Sequence, residues 1–169
     1  MLPTPGGSAD FPRLVHDLPR MLESAGRQSR VLRMLFGIRW ALGRLLGWDR
    51  ADAGLDLRVP SLRQRLPTDL RDAPTEPALP RFTTLYAVDD EWAAEIANRT
   101  VHGVIHVGWV SDDHGRYRGQ MAVYAKPNGR LGKLYMAAIT PFRRLLVYPL
   151  ILRHVERAWR ETARQESRV

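Results

Sequence analysis

The chain has 169 residues, no cysteine, 26 Lys and Arg against 18 Asp and Glu, and a formal net charge of +8. A hydrophobic fraction of 44% beside 26% charged residues predicts one globular domain rather than a disordered tail. Without cysteine there is no disulfide framework, thiolate metal site, cysteine nucleophile or thiol redox chemistry.

The charge is carried by arginine, since lysine occurs only at Lys126 and Lys133. It is also segregated. Asp89, Asp90, Glu91, Glu95, Asp112 and Asp113 dominate residues 85–115, whereas Arg116, Arg118, Lys126, Arg130 and Lys133 have no acidic neighbour over 116–140. With no reader motif beside this charge, a nucleic-acid partner is not expected.

Residues 1–10, with Pro3, Pro5, Gly6 and Gly7, predict a flexible arm ahead of a single domain over 11–169. No basic segment followed by an apolar run opens the chain, so a cytoplasmic protein is expected. From Arg27 to Gly47, Val31, Leu35, Ile38, Leu42 and Leu45 recur at helical spacing behind Ser29 as N-cap. This predicts a helix with one face on a core and a basic face carrying Arg30, Arg33 and Arg44. Each arginine costs about 2.5–3.5 kcal/mol at a bilayer centre, which excludes a membrane span. A helix lying on a membrane surface or an acidic partner, with Trp40 and Trp48, stays possible. Gly37, Gly43 and Gly47 allow close helix packing, so monomer and homodimer are both open.

Residues 59–80 contain Pro60, Pro67, Pro74, Pro77 and Pro80, leaving room for one helical turn near Thr68–Arg71. They predict a semi-rigid surface connection of the kind that borders binding sites. Beyond it the period becomes two. Phe82–Val88, Thr100–Val110 and Tyr117–Ala125 are expected strands. Val101, Ile105, Val107 and Trp109 share one face, and His102, Val104 and His106 the other. Residues 91–97 read as strand or helix, with strand preferred and Asn98-Arg99 as its turn. Gly129–Gly132 reads as a hairpin leading into a strand over Leu131–Ile139. Thr140-Pro141 then starts a long helix that Pro149 should kink, orphaning the Leu145 carbonyl.

A helix-containing first half, an antiparallel meander and a long last helix resemble an α+β helix-grip domain, a curved sheet wrapped around the C-terminal helix. That superfamily includes pollen-allergen-type ligand binders, START domains and polyketide cyclases. The blocks Gly129-Arg-Leu-Gly-Lys-Leu-Tyr135, Ile139-Thr-Pro-Phe-Arg-Arg144 and Val147-Tyr-Pro149, with Asn98-Arg-Thr-Val-His102 and Leu46-Gly-Trp48 more loosely, resemble an uncharacterised bacterial family, domain of unknown function 2867. That family also occurs as the C-terminal module of NAD(P)-binding epimerase- or reductase-like proteins. The resemblance implies a cavity between sheet and last helix. This chain has no nucleotide-binding glycine loop of its own, and no cofactor or metal is expected.

Candidate chemistry follows from residue type. Glu95 with His102 and His106 suggests acid–base work, or else polar residues on the outer face of the sheet. The two histidines, four apart on a strand, stand about 13 Å apart, too far to share a metal. Asp113 and His114 form either a dyad or merely a turn. Tyr124, Tyr135, Tyr148 and Trp109, with Arg143 and Arg144, are candidates to line a cavity and hold a polar head, or else to be core and solvated surface. The expected function is binding of a small apolar molecule. The alternatives are a cyclase or dehydratase acting on a polyketide-like carbonyl compound, and a peripheral membrane or protein-interaction module.

Overall fold

The computed structural model describes residues 1–45, 47, 55, 59–79, 81–112 and 114–166. Strands β1 (Pro5–Gly6), β2 (Thr83–Ala87), β3 (Glu91–Ala97), β4 (Val101–Ser111) and β5 (Tyr117–Pro127) form an antiparallel sheet ordered β1-β5-β4-β3-β2. The sheet curves against a long C-terminal helix in the α+β helix-grip arrangement. That helix, α5 (Tyr148–Glu166), packs beside α1 (Phe11–Gln28). Between them and the sheet lies the core: Leu14 and Leu18 of α1, Val155 and Trp159 of α5, and Trp92, Val107 and Trp109 of the sheet.

Alternation assigns the two sheet faces. Val107 pairs with Met121 and Trp92, and Trp109 with Gly119, so these residues face the helices. His102, Val104 and His106 lie on the opposite face with Glu91 and Glu95. Asn98 closes the β3–β4 turn: its Oδ1 accepts from the N–H groups of Thr100 (2.9 Å) and Val101 (3.0 Å). The proline-rich connection contains a 3-10 turn at Leu62–Arg65 and the four-residue α3 at Thr68–Arg71. It wraps the β2 edge. Arg63 donates to the Leu85 carbonyl, Ala87 N–H to the Pro74 carbonyl, and Thr84 Oγ1 and Trp92 Nε1 to that of Pro77.

Several expectations change. The N-terminal segment is packed, not a free arm. Leu2 and Thr4 are buried, Leu2 N–H reaches the Gly119 carbonyl at 2.7 Å, and the indoles of Trp159 and Trp109 donate to the Pro5 and Gly7 carbonyls. Helix α1, with Pro12 in its first turn and Pro19 inside, was not anticipated. Residues 129–132 open a helix, α4 (Gly129–Phe142), where a hairpin and strand were expected. Gly129 turns the chain at φ 64°, and a Cβ on Gly132 would stand 2.2 Å from the Thr100 carbonyl oxygen. Thr140-Pro141 lies within α4 rather than at a helix start. Arg143–Val147 forms a π turn, in which Tyr148 N–H bonds to the Arg143 carbonyl. Pro149, which has no N–H to donate, follows directly on this wider turn.

Helix α2 (Arg30–Leu45) has Ser29 capping Leu32 N–H as expected, but its orientation differs. Leu32 is buried, whereas Val31, Ile38 and Leu45, expected on the core, are 41%, 51% and 81% exposed. The helix is fixed instead by Arg39 over the Tyr135 ring of α4 and by Arg81 over Trp40, at 5.6 and 3.6 Å. Leu42's side chain, Leu46 and Trp48 lie outside the described residues.

Candidate functional site: a buried Glu–His pair on the outer sheet face

Glu95 is wholly buried in the middle of β3. A carboxylate in such a place needs partners for both oxygens. His102 Nε2 lies 2.8 Å from Oε2, and Ser61 Oγ donates to Oε1 at 2.5 Å. Leu62 N–H is 3.2 Å from both oxygens. Ser61 Oγ in turn accepts from Arg63 N–H at 3.2 Å. The connection thus caps the carboxylate, while the register of β3 and β4 supplies the histidine. Glu95 stands opposite Val104, and His102 is its diagonal neighbour on the same face.

The same diagonal recurs one step along. Glu91 is opposite Gly108, and its Oε2 is 3.3 Å from His106 Nε2. Tyr86 donates its hydroxyl to that carboxylate. Burial, then the Glu91 charge and this hydrogen bond, raise the Tyr86 pKa. His106 and Glu91 are considerably more exposed than the inner pair. His106 therefore belongs to a separate surface pair rather than to the Glu95 cluster.

His102 borders a groove of about 490 Å³ whose walls include Val59, Leu62, Val104 and Tyr124, with Arg65 and Lys126 as its cations. Tyr124, paired in register with Val104, is thereby brought beside the Glu95–His102 pair. Ser61 is not a nucleophile of the Ser–His type, because its hydroxyl donates to the carboxylate and not to the imidazole. The ring nitrogen Nδ1 of His102 has no hydrogen-bond partner among the described residues. No group of three His, Asp or Glu among them is placed to hold a metal ion.

The other candidate residues are dispersed. Trp109 is a core residue. Tyr135 sits on α4 under Arg39, and Tyr148 accepts a hydrogen bond from Arg143. Tyr148 borders two adjoining grooves between β5 and the C-terminal helices, of about 310 Å³ each. One is lined by Met121, Ile151 and Leu152, the other by Thr140, Arg143 and Arg144. Neither Tyr135 nor Arg143 lines the groove that His102 borders. His114 is exposed in the β4–β5 turn, and Asp113 lies outside the described residues. That turn is built by Asp112. The N–H of Arg116, then that of His114 and the guanidinium of Arg118, hold its carboxyl down at about 2.

Ser61, Leu62, Arg65 and Lys126 were not singled out beforehand. The only signal for the first three was the proline-rich connection itself.

The profile of a family described as a protein of unknown function, DUF2867, matches residues 8–150. The chain belongs to the DUF2867 family. Comparison with curated proteins and with solved structures gives no match. Within this DUF2867 chain, the profile spans α1 to the start of α5 and includes every residue of the Glu95 cluster.

Proposed function

We propose that this DUF2867 domain is a small-molecule enzyme whose acid–base group is His102, oriented by Glu95, in the groove beneath the proline-rich connection. The observation that carries this reading is the wholly buried Glu95 bonded at 2.8 Å to a histidine that borders an open groove. A carboxylate accepting from Nε2 leaves the Nδ1 lone pair of a neutral imidazole available as base. Arg65 and Lys126 suit a carboxylate or the oxygen of a carbonyl substrate, and the apolar walls suit the rest of a small polyketide-like molecule. In the step proposed, Nδ1 takes a proton from the carbon next to the carbonyl. The C–H electron pair forms the enolate C=C bond while the carbonyl oxygen takes the negative charge. The imidazolium then returns the proton to the product.

A panel of short β-keto acids incubated with the protein in deuterium oxide tests this by proton NMR. Wild type is expected to accelerate loss of the α-proton signal, and His102→Asn to slow it by about 10²-fold or more. Arg65→Ala with Lys126→Ala should raise KM far more than it lowers kcat. Equal rates for wild type and His102→Asn overturn the reading.

A second reading rests on the two adjoining grooves that share Val123 and Tyr148. One end is apolar and the other carries arginines, a lining that suits binding of an amphipathic anion between sheet and helix. Native mass spectrometry of the purified protein tests it. A copurified molecule released by Ile151→Arg, but not by His102→Asn, places the ligand there; retention in both variants removes it.

A further inference from the structure

We infer that α2 and the α4–π segment form one face that docks on a membrane surface rich in anionic lipid, a property separate from the reaction proposed above. The reversed orientation of α2 is the starting point. Val31, Met34, Ile38 and Leu45 recur at steps of three, four and seven, so they lie on one side of the helix. All four are exposed, Met34 by 59% and Leu45 by 81%. Helix α4 repeats the pattern. Leu131, Leu134 and Phe142 share a side with Ala138, and Leu134 is 70% exposed. Leu145 of the π turn is 74% exposed. Single exposed leucines are ordinary, but two stripes on neighbouring helices make an apolar face. The Arg39 guanidinium stands 5.6 Å from the Tyr135 ring centre and so links α2 to α4.

Charge selects the occupant. Residues 30–45 contain Arg30, Arg33, Arg39 and Arg44, and residues 129–147 contain Arg130, Lys133, Arg143 and Arg144, with no Asp or Glu in either stretch. On the α2 wheel, Arg30, Arg33 and Arg44 flank one side of the apolar stripe. Arg130, Lys133 and Arg144 flank that of α4 in the same way. Apolar stripes whose charged neighbours on the same helices are all cations fit a layer of anionic headgroups over acyl chains, with the arginine stems reaching outward along the apolar surface. A second copy of the same face would set like charges against each other. No helix among the described residues is long and apolar enough to cross a membrane, so the fit is to a helix pair lying on the surface.

The test is co-sedimentation of the purified chain with vesicles of phosphatidylcholine alone and of phosphatidylcholine with phosphatidylglycerol, alongside sedimentation velocity without lipid. Binding is expected only to the anionic vesicles, weakening as salt rises. Arg33→Glu with Lys133→Glu should reduce it by at least about 25-fold, since each surface cation contributes roughly fivefold. Met34→Ser and Leu134→Ser should each cost about tenfold. These side chains are exposed, so the variants should keep the wild-type far-UV circular dichroism, which is checked on each. Equal binding to neutral vesicles, or binding unaffected by the charge reversals, overturns the inference. A dimer that Met34→Ser dissociates shows instead that a second copy covers the face. A monomer that ignores both vesicle types leaves the face to an acidic protein and equally overturns the lipid assignment.

Discussion

Glu95 organises more of the molecule than its single side chain suggests. It fastens the proline-rich connection through Ser61 and Leu62 and orients His102 through the same carboxylate. Glu95→Ala would remove the carboxylate that accepts from the Ser61 hydroxyl and the part-buried Leu62 N–H and that bonds the His102 imidazole. Chemical denaturation should show a loss of about 3 kcal/mol, with Glu95→Gln, whose amide oxygen still accepts, losing less. Asp112 makes a prediction of a different kind. Its folded pKa of about 2 lies below the 3.8 of an ordinary aspartate, so on acidification the unfolded chain takes up the proton first. The turn's contribution is therefore complete above the unfolded value and is lost as pH falls toward about 2. Carboxyl carbon NMR should find the Asp112 midpoint near 2. Asp112→Asn should flatten the acid limb of the stability curve; an unchanged limb would contradict the turn geometry.

Among the elements, the β5–α4 junction depends most on a single contact. Gly132 lies so close to the Thr100 carbonyl that a methyl group there meets backbone oxygen at 2.2 Å, and backbone cannot swing aside as a side-chain tip can. Gly132→Ala should cost about 1–3 kcal/mol in thermal or chemical unfolding. Gly129→Ala, in open space but at φ 64°, should cost about 1–2 kcal/mol through the backbone alone. The same junction shows why residues 131–139 misled. A glycine pair after Pro-Asn is compatible with a hairpin, and only contact with the β3–β4 turn makes Gly132 a packing requirement of a helix. Elsewhere local pattern sufficed. The alternation of β4 and β5 gave the correct faces, and Ser29 and the Asn98 turn stand where their side-chain chemistry places them.

For the whole molecule, the N-terminal segment seals the core. Removing residues 1–7 takes the acceptors from the indole N–H groups of Trp159 and Trp109 and uncovers the surface that Leu2 occupies. The truncated chain should unfold with about 3–6 kcal/mol less stability, and tryptophan fluorescence should report a wetter core. A chain of unchanged stability would mean that the segment only rests on the sheet. Residue type gave no warning of this role, because Pro, Gly and Ser are as common in packed edge segments as in free arms.

The amino-acid sequence by itself determined the period of β4 and β5 and hence their inward and outward faces. It grouped Glu95 with His102 as candidate residues and marked residues 59–80 as a proline-rich surface connection. Those properties follow from local alternation and turn chemistry, which act over a few residues. Tertiary structure decided which side of α2 is buried, that Ser61 caps Glu95, and that Tyr135 and Arg143 stand apart from the groove that His102 borders. Each depends on what a distant segment covers. An apolar helical stripe looks the same in sequence whether the core or the solvent meets it, and here Arg39 and Arg81 anchor the helix with that stripe turned outward.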